Sequence, residues 1–258
     1  MTTLAVVQAR MTSTRFPGKV LAPLLGEPMI IRQLERIARA QRIDALTVAT
    51  STDASDDELV QVRESAGHRV FRGSLDDVLA RFIGAIDHFE AESGHTVDSV
   101  VRLTADCPLT SPSVIDNVIE AFSESDSDYL SNTMTPTFPD GLDAEVVRTR
   151  VLREVEKFAV DAPEREHVTL GVYRRMDEYS ISNLEADRDN SNLRWTVDTP
   201  EDFEFVTGVY AELYPHNPAF EYHDVLDYLE RYPERSRTEQ DAVRNAALEG
   251  LDTGAMNV

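Results

Sequence analysis

Lysine is almost missing from this 258-residue chain: Lys19 and Lys157 are its two examples, and every other basic side chain is arginine. Cysteine is scarcer still. A single Cys107 excludes an internal disulfide. No apolar stretch approaches the roughly 20 residues that a membrane span requires. The opening "MTTLAVVQAR" has neither a basic leader nor a long apolar segment, so no secretory signal is expected. Together these absences suit a reducing cytoplasm, the expected location. Positive charge is in deficit, with 25 Lys and Arg against 47 Asp and Glu and a formal net charge of -22. Such a surface repels nucleic acid and anionic membranes, so neither is an expected partner. Acid excess with so little lysine fits a GC-rich genome or a high-salt cytoplasm equally well. Two glycine fingerprints are also missing. Neither G-x-x-x-x-G-K-[ST] nor G-x-G-x-x-G occurs, which excludes those phosphate-binding loops.

Against this acidic background, "RMTSTRFPGKV" (10–20) gathers Arg10, Arg15 and Lys19 with Ser13, Pro17 and Gly18. It follows the apolar run "LAVVQA" (4–9), which reads as a buried strand. A loop leaving a strand can aim backbone N–H groups at phosphate, while arginine forks and a lysine supply charge. An ordinary basic surface loop is the alternative.

Apolar runs and amphipathic stretches alternate down the first half. Strands are expected at 45–50, 68–73, 98–106 and 128–132, and helices at 28–40, 53–67, 75–94 and 111–122, the last with Ser111 as N-cap. The pattern predicts a three-layer α/β/α fold around a mostly parallel sheet, with ligands at the strand carboxyl ends. The second half reads as a loop and strand over 133–147, helices at 149–159 and 162–176, extended chain at 179–186 and 192–198, and helices at 199–214 and about 221–231. No repeat or long linker divides the chain. One domain is expected over 1–235, followed by a polar tail, 236–258, that should fray.

Asp106 and Asp198 each stand at the end of an expected strand. Either could cap a turn or helix, or the two could share one Mg²⁺, which takes a few carboxylates together with phosphate oxygens and water. "DSD" (126–128) has the Asp-x-Asp form of a glycosyltransferase metal motif but reads as a solvated helix end.

"VVQARMTSTRFPGKVL" resembles the N-terminal signature of the cytidylyltransferase family, which includes CMP-KDO and CMP-acylneuraminate synthetases and a spore coat polysaccharide branch, to which the match is closest. "FRGSLDDVLARF", "RLTADCPL", "FPDGLDAEVV", "EREHVT" and "RWTVDTPEDF" resemble its later motifs in order, across residues 4 to 210. One departure is Thr12, where the branch usually carries glycine. The resemblance implies a GT-A-like, Rossmann-related nucleotide-diphospho-sugar transferase fold and a Mg²⁺-dependent transfer of CMP from CTP to a small acceptor, with pyrophosphate released. It implies that Ala9, Arg10, Ser13, Arg15 and Lys19 hold the triphosphate, and that Thr50, Arg72 and Gly73 wall the nucleoside pocket. Asp106 and Asp198 match the metal-binding carboxylates. Arg10, Lys19, Asp106 and Asp198 would carry the chemistry. Arg81, Asp140, Asp143, Glu145, Glu166 and His167 are the candidates for the acceptor, a sugar acid or other hydroxyl compound, and a homodimer is expected. A GT-A-type glycosyltransferase using a nucleotide-sugar donor, and a non-catalytic nucleotide-binding protein, are the competing readings.

Overall fold

In the first strand Leu4 and Val6 face one side and Ala5 and Val7 the other, and all four are fully buried. A strand meets that condition only inside a sheet covered on both faces. The computed structural model, which describes residues 1–238, has this arrangement. The strands are β1 (Thr3–Gln8), β2 (Pro23–Leu24), β3 (Glu27–Pro28), β4 (Ala45–Ser51), β5 (Arg69–Gly73), β6 (Ser99–Thr104), β7 (Tyr129–Ser131), β8 (Glu145–Arg148) and β9 (Ile181–Asn183). Apart from the small β2–β3 ribbon they form a seven-stranded sheet in the order β5-β4-β1-β6-β8-β7-β9. β8 runs antiparallel to both its neighbours, and the other pairings are parallel. The helices are α1 (Met29–Ile37), α2 (Asp57–Ser65), α3 (Val78–Ser93), α4 (Pro112–Glu124), α5 (Thr149–Phe158), α6 (Ala162–Glu166), α7 (Leu170–Tyr173), α8 (Pro200–Leu213) and α9 (Tyr222–Arg231).

Leu4, Val6 and Val100 pack with α3, α5 and α7 on one face of the sheet, and Ala5, Val7 and Val101 with α1, α2 and α4 on the other. A third core joins α8 and α9 to Phe138 and the fully buried Trp195. The α/β alternation and mostly parallel sheet expected from the sequence are present. No helix among the described residues is long and apolar enough to cross a membrane.

The sheet order positions the site. The chain steps outward from β1 through β4 to β5, then returns to lay β6 on the other side of β1. Gln8 pairs with both Ala49 and Thr104, so the three strands end level. The crevice outside β1 and β6 is therefore the reversal point where open α/β sheets hold ligands.

Two local expectations are corrected, and a third holds in position only. The helix expected over 162–176 is two short helices, broken because the Thr169 hydroxyl turns inward to the buried Glu145 carboxylate. Residues 192–198 make no strand; Arg194 forms a single bridge with Asp140, and Leu193 another with Thr238. Ser111 holds the N-cap position of α4 as expected, but its hydroxyl donates to Glu221 at 2.5 Å and accepts no bond from the helix backbone. Of the tail expected from 236, residues 239–258 lie outside the described residues.

On the inner face of α2, Arg63 is fully buried, and none of its three guanidinium nitrogens has a hydrogen-bond partner among the described residues. Burial pushes its pKa down to about 9. A buried charge without a partner costs stability, and apolar replacement of buried ions is often stabilising by about 1–4 kcal/mol. Arg63→Met should therefore raise the chemical-denaturation midpoint. A lower midpoint would mean that the guanidinium is satisfied by a partner after all.

Candidate active site

The loop after β1 is shaped by a short set of contacts. The Met11 carbonyl accepts from the N–H groups of Ser13 (3.0 Å) and Gly18 (2.9 Å), folding residues 11–18 into a compact hook. Gly18 has φ +72°, a left-handed conformation that suits glycine, and starts the single 3₁₀ turn that carries Lys19. The Ser13 hydroxyl accepts from the Phe16 N–H at 3.4 Å, and the Phe16 ring meets Phe203 of α8 edge-on. Asp56, fully buried, accepts from the Met11 N–H at 2.7 Å and from both hydroxyls of Thr50 and Ser51, tying the hook to the end of β4. Burial opposes the Asp56 charge, but these donors outweigh it and hold its pKa below the ordinary value. Thr12 does not take a positive φ, so its β-branched side chain fits without strain.

The hook opens onto a cavity of about 530 Å³. At its mouth the Lys19 ammonium, largely buried, donates to Asp198 Oδ1 (2.9 Å), Asp106 Oδ2 (3.2 Å) and the Val197 carbonyl (2.6 Å). Asp106 lies just beyond β6, and Asp198 lies one residue before Thr199, the N-cap of α8. The Val197 N–H donates to the Asp106 carbonyl at 2.8 Å, which brings the two acids side by side although they are far apart in sequence. Burial works against the Lys19 charge, yet the two carboxylates outweigh it and raise its pKa. Asp106 is lowered correspondingly: burial opposes its charge and Lys19 restores it. Arg15 reaches Asp198 from the solvent side at 3.1 Å, and Arg194 from the protein side at 2.8 Å.

This donor set fits a divalent cation of the magnesium type. Asp106 and Asp198 are hard oxygen donors converging on one point, which the Lys19 ammonium fills. Among the described residues no cluster of three potential ligands exists. A metal there would complete its shell with substrate oxygens and water, as Mg²⁺ characteristically does.

The far end of the cavity is built on Glu145. Its Oε2 accepts from the hydroxyls of Thr169 (2.6 Å), Tyr173 (2.6 Å) and Tyr129 (2.8 Å), and its Oε1 pairs with Arg102. Burial opposes the Glu145 charge, but Arg102 and the three hydroxyls hold its pKa below the usual value. Glu145 thus organises the floor. His167 caps the C-terminal end of α6 and lines the cavity, with burial lowering its pKa, so the imidazole is neutral at pH 7. Asp143 and Glu166 also line this end.

Asp140 lines the cavity too, held by Arg194 at 2.9 Å. Asp140-Gly141 forms a turn, but packing demands the glycine as well: a Cβ at Gly141, where φ is +109°, would lie 2.6 Å from the Thr196 nitrogen. Arg81 is buried in the cavity wall, donating to the Ser74 carbonyl at 2.9 Å, with its Nε unpartnered among the described residues. Burial pushes its pKa down to about 10, and the nearby Arg10 adds to the effect. Ala9, Arg10 and Ser13 also line the cavity.

Thr50, Arg72 and Gly73 do not line it. Thr50 supports Asp56, Arg72 binds the carbonyls of Ser51 and Asp53 and pairs with Asp57, and Gly73 gives room for Arg81. Asp126 is exposed and Asp128 pairs with Arg150, both away from the cavity. Site residues not anticipated are Arg102, Arg194, Thr169, Tyr173 and Asp56. A signal existed for the arginines: each interrupts an apolar run, "VVRLT" and "LRWTV", where a buried cation demands partners.

The model of the cytidylyltransferase family matches residues 4–232. The spore coat polysaccharide biosynthesis protein SpsF of Bacillus subtilis (strain 168) is 33% identical over 246 residues, which cover 93% of this chain and 98% of that protein. A 3-deoxy-manno-octulosonate cytidylyltransferase of Geobacter sulfurreducens is 32% identical over 162 residues, 62% of this chain and 61% of its own length. Among solved structures, a cytidylyltransferase from Leptospira borgpetersenii serovar Hardjo-bovis superposes with a TM-score of 0.83 at 27% identity, covering 95% of this chain and 98% of that one.

Proposed function

Because the chain belongs to the cytidylyltransferase family, we propose that it transfers CMP from CTP to a hydroxyl of a small sugar or sugar acid, releasing pyrophosphate, in the synthesis of a surface polysaccharide or glycan. The observation that carries this reading is the position of the Lys19 ammonium between Asp106 and Asp198, at the reversal point of the sheet and at the mouth of one cavity with Arg10 and Arg15. Phosphoryl transfer of this kind is mostly positioning and charge stabilisation. Arg10, Arg15 and Lys19 receive the triphosphate, with the backbone from Ala9 to Ser13 along it. Its negative charge draws Lys19 from the carboxylates to the phosphate oxygens, over a distance the flexible lysine stem can cover. Asp106 and Asp198, so released, would hold Mg²⁺, which when bound neutralises phosphate charge and polarises the reacting oxygens. The acceptor occupies the Glu145 end. There the neutral His167 accepts a hydrogen bond from an acceptor hydroxyl, Arg81 reads its negative group, and Asp140, Asp143 and Glu166 border it. Thr50, Arg72 and Gly73 back the nucleoside side indirectly, through Asp56 and Arg81. The acceptor oxygen attacks the α-phosphorus, its hydroxyl proton passing to solvent, as the bond to the pyrophosphate oxygen breaks.

A thermal-shift series with Mg²⁺ and each of CTP, UTP, ATP and GTP tests the nucleotide. A ligand at a hundred times its Kd stabilises by about 2.7 kcal/mol. CTP should raise the melting temperature most. An equal or larger shift with a purine nucleotide would overturn the assignment.

A further inference from the structure

Behind Asp198 lies a buried charge network that reaches the C-terminal end of the described chain. Arg194, almost fully buried, spreads its guanidinium over Asp198 (2.8 Å), Asp140 (2.9 Å) and Asp202 (3.2 and 3.3 Å). One guanidinium is thus shared by three carboxylates, of which Asp198 also meets Lys19 and Arg15. Asp202 has a second cation in Arg237, whose Nη2 and Nε donate to its Oδ1 at 3.1 and 3.3 Å. Its own carbonyl accepts from the Arg194 N–H at 2.9 Å. Asp202 Oδ2 in turn accepts from the backbone N–H groups of Asp198 and Thr199, both at 3.0 Å. The residues beyond α9 thus close a ring with Arg194 and Asp202, and that ring holds both the backbone and the carboxylate of Asp198.

We infer that Arg237 is a positioning residue for the divalent-cation site: it binds Asp202 so that Arg194 stays on Asp198 and Asp140. Without Arg237, Asp202 draws the Arg194 fork to itself, and Asp198 loses the donor that holds it from the protein side. This inference rests on the reading of Asp198 as a metal-holding carboxylate. Outer partners of metal ligands typically change metal affinity by about 10- to 100-fold when removed.

The test is a titration of Mn²⁺ by electron paramagnetic resonance, with CTP present, on the full-length protein and on Arg237→Met, Arg237→Lys and Asp198→Asn. Calorimetry of CTP without metal is measured alongside. Arg237→Met should weaken Mn²⁺ binding by about tenfold or more, with metal-free CTP affinity unchanged within about twofold. Arg237→Lys should recover part of the loss, since it keeps the charge but not the fork. If Arg237→Met fails to fold, Arg237→Lys carries the test with a smaller loss in the same direction. Normal Mn²⁺ binding in both Arg237 variants, with loss in Asp198→Asn, would overturn the positioning role alone. Tighter Mn²⁺ binding would also overturn it, because it would mark Arg237 as a mere like charge repelling the ion. Normal binding in Asp198→Asn would overturn the metal reading of Asp198 and the inference with it.

Discussion

Lys19→Ala should lower the rate of pyrophosphate release from CTP by about a hundred- to a thousandfold, the cost of removing one preorganised charge donor from a water-poor site. The size follows from its setting. Lys19 is the single lysine of the cavity, it is largely buried, and its pKa is raised by two carboxylates despite burial. Loss of the ammonium removes the positive charge that meets the triphosphate and also strips Asp106 of its cation, while Asp198 keeps Arg15 and Arg194. Steady-state kinetics with saturating nucleotide separate the effects: the maximal rate should fall while the KM for the acceptor changes little. An unchanged rate would remove the loop from the mechanism. A rate restored at high Mg²⁺ would mean that charge balance alone, and not the position of Lys19, was lost.

Replacing Arg102 with leucine should destabilise the protein by about 3–5 kcal/mol near neutral pH, the usual result of leaving one member of a buried ion pair without its partner. Glu145 is almost entirely buried and Arg102 largely so, so the carboxylate meets little water beyond the cavity it lines. In the wild-type protein Glu145 has a folded pKa below that of the unfolded chain, about 4.3 for glutamate. Its interactions therefore contribute stability above that pH, and the contribution is lost as pH falls through the folded value. In Arg102→Leu burial dominates and pushes the Glu145 pKa up, so protonation relieves the strain. The two stability curves should diverge as pH rises above about 5 and converge toward pH 4 and below. Chemical denaturation at several pH values measures this directly. A pH-independent difference would mean that Arg102 matters by packing and not by charge.

The parts of the fold legible in the sequence are those set by local periodicity. The alternation Leu4, Ala5, Val6, Val7 and the cap Thr199-Pro200 with Asp202 three residues on each specify their element within a few residues, and α8 has the full capping box. The cation loop was legible from composition, since charge of one sign gathered on glycine and proline stands out in an acidic chain. What was not legible depends on distant pairing. Glu145 reads as an acceptor contact until Tyr129, Tyr173 and Thr169 are seen to converge on it. Asp56 is one of several acids in "DASDDE", and nothing local marks it as the buried member that anchors the loop. Asp198 looks like a strand end, whereas its place is fixed by one hydrogen bond from Val197 to Asp106 and by the Arg194 network. Thr50, Arg72 and Gly73 resemble pocket walls by motif but do not line the cavity that holds Lys19.

Phosphorus NMR of the protein incubated with CTP, Mg²⁺ and a panel of sugar acids tests the central claim most directly. With one acceptor a pyrophosphate resonance and a CMP phosphodiester resonance should grow equally, and both should be abolished in Asp106→Asn. CTP left intact across the panel, together with release of a free nucleoside diphosphate from a nucleotide-sugar donor, would contradict that claim.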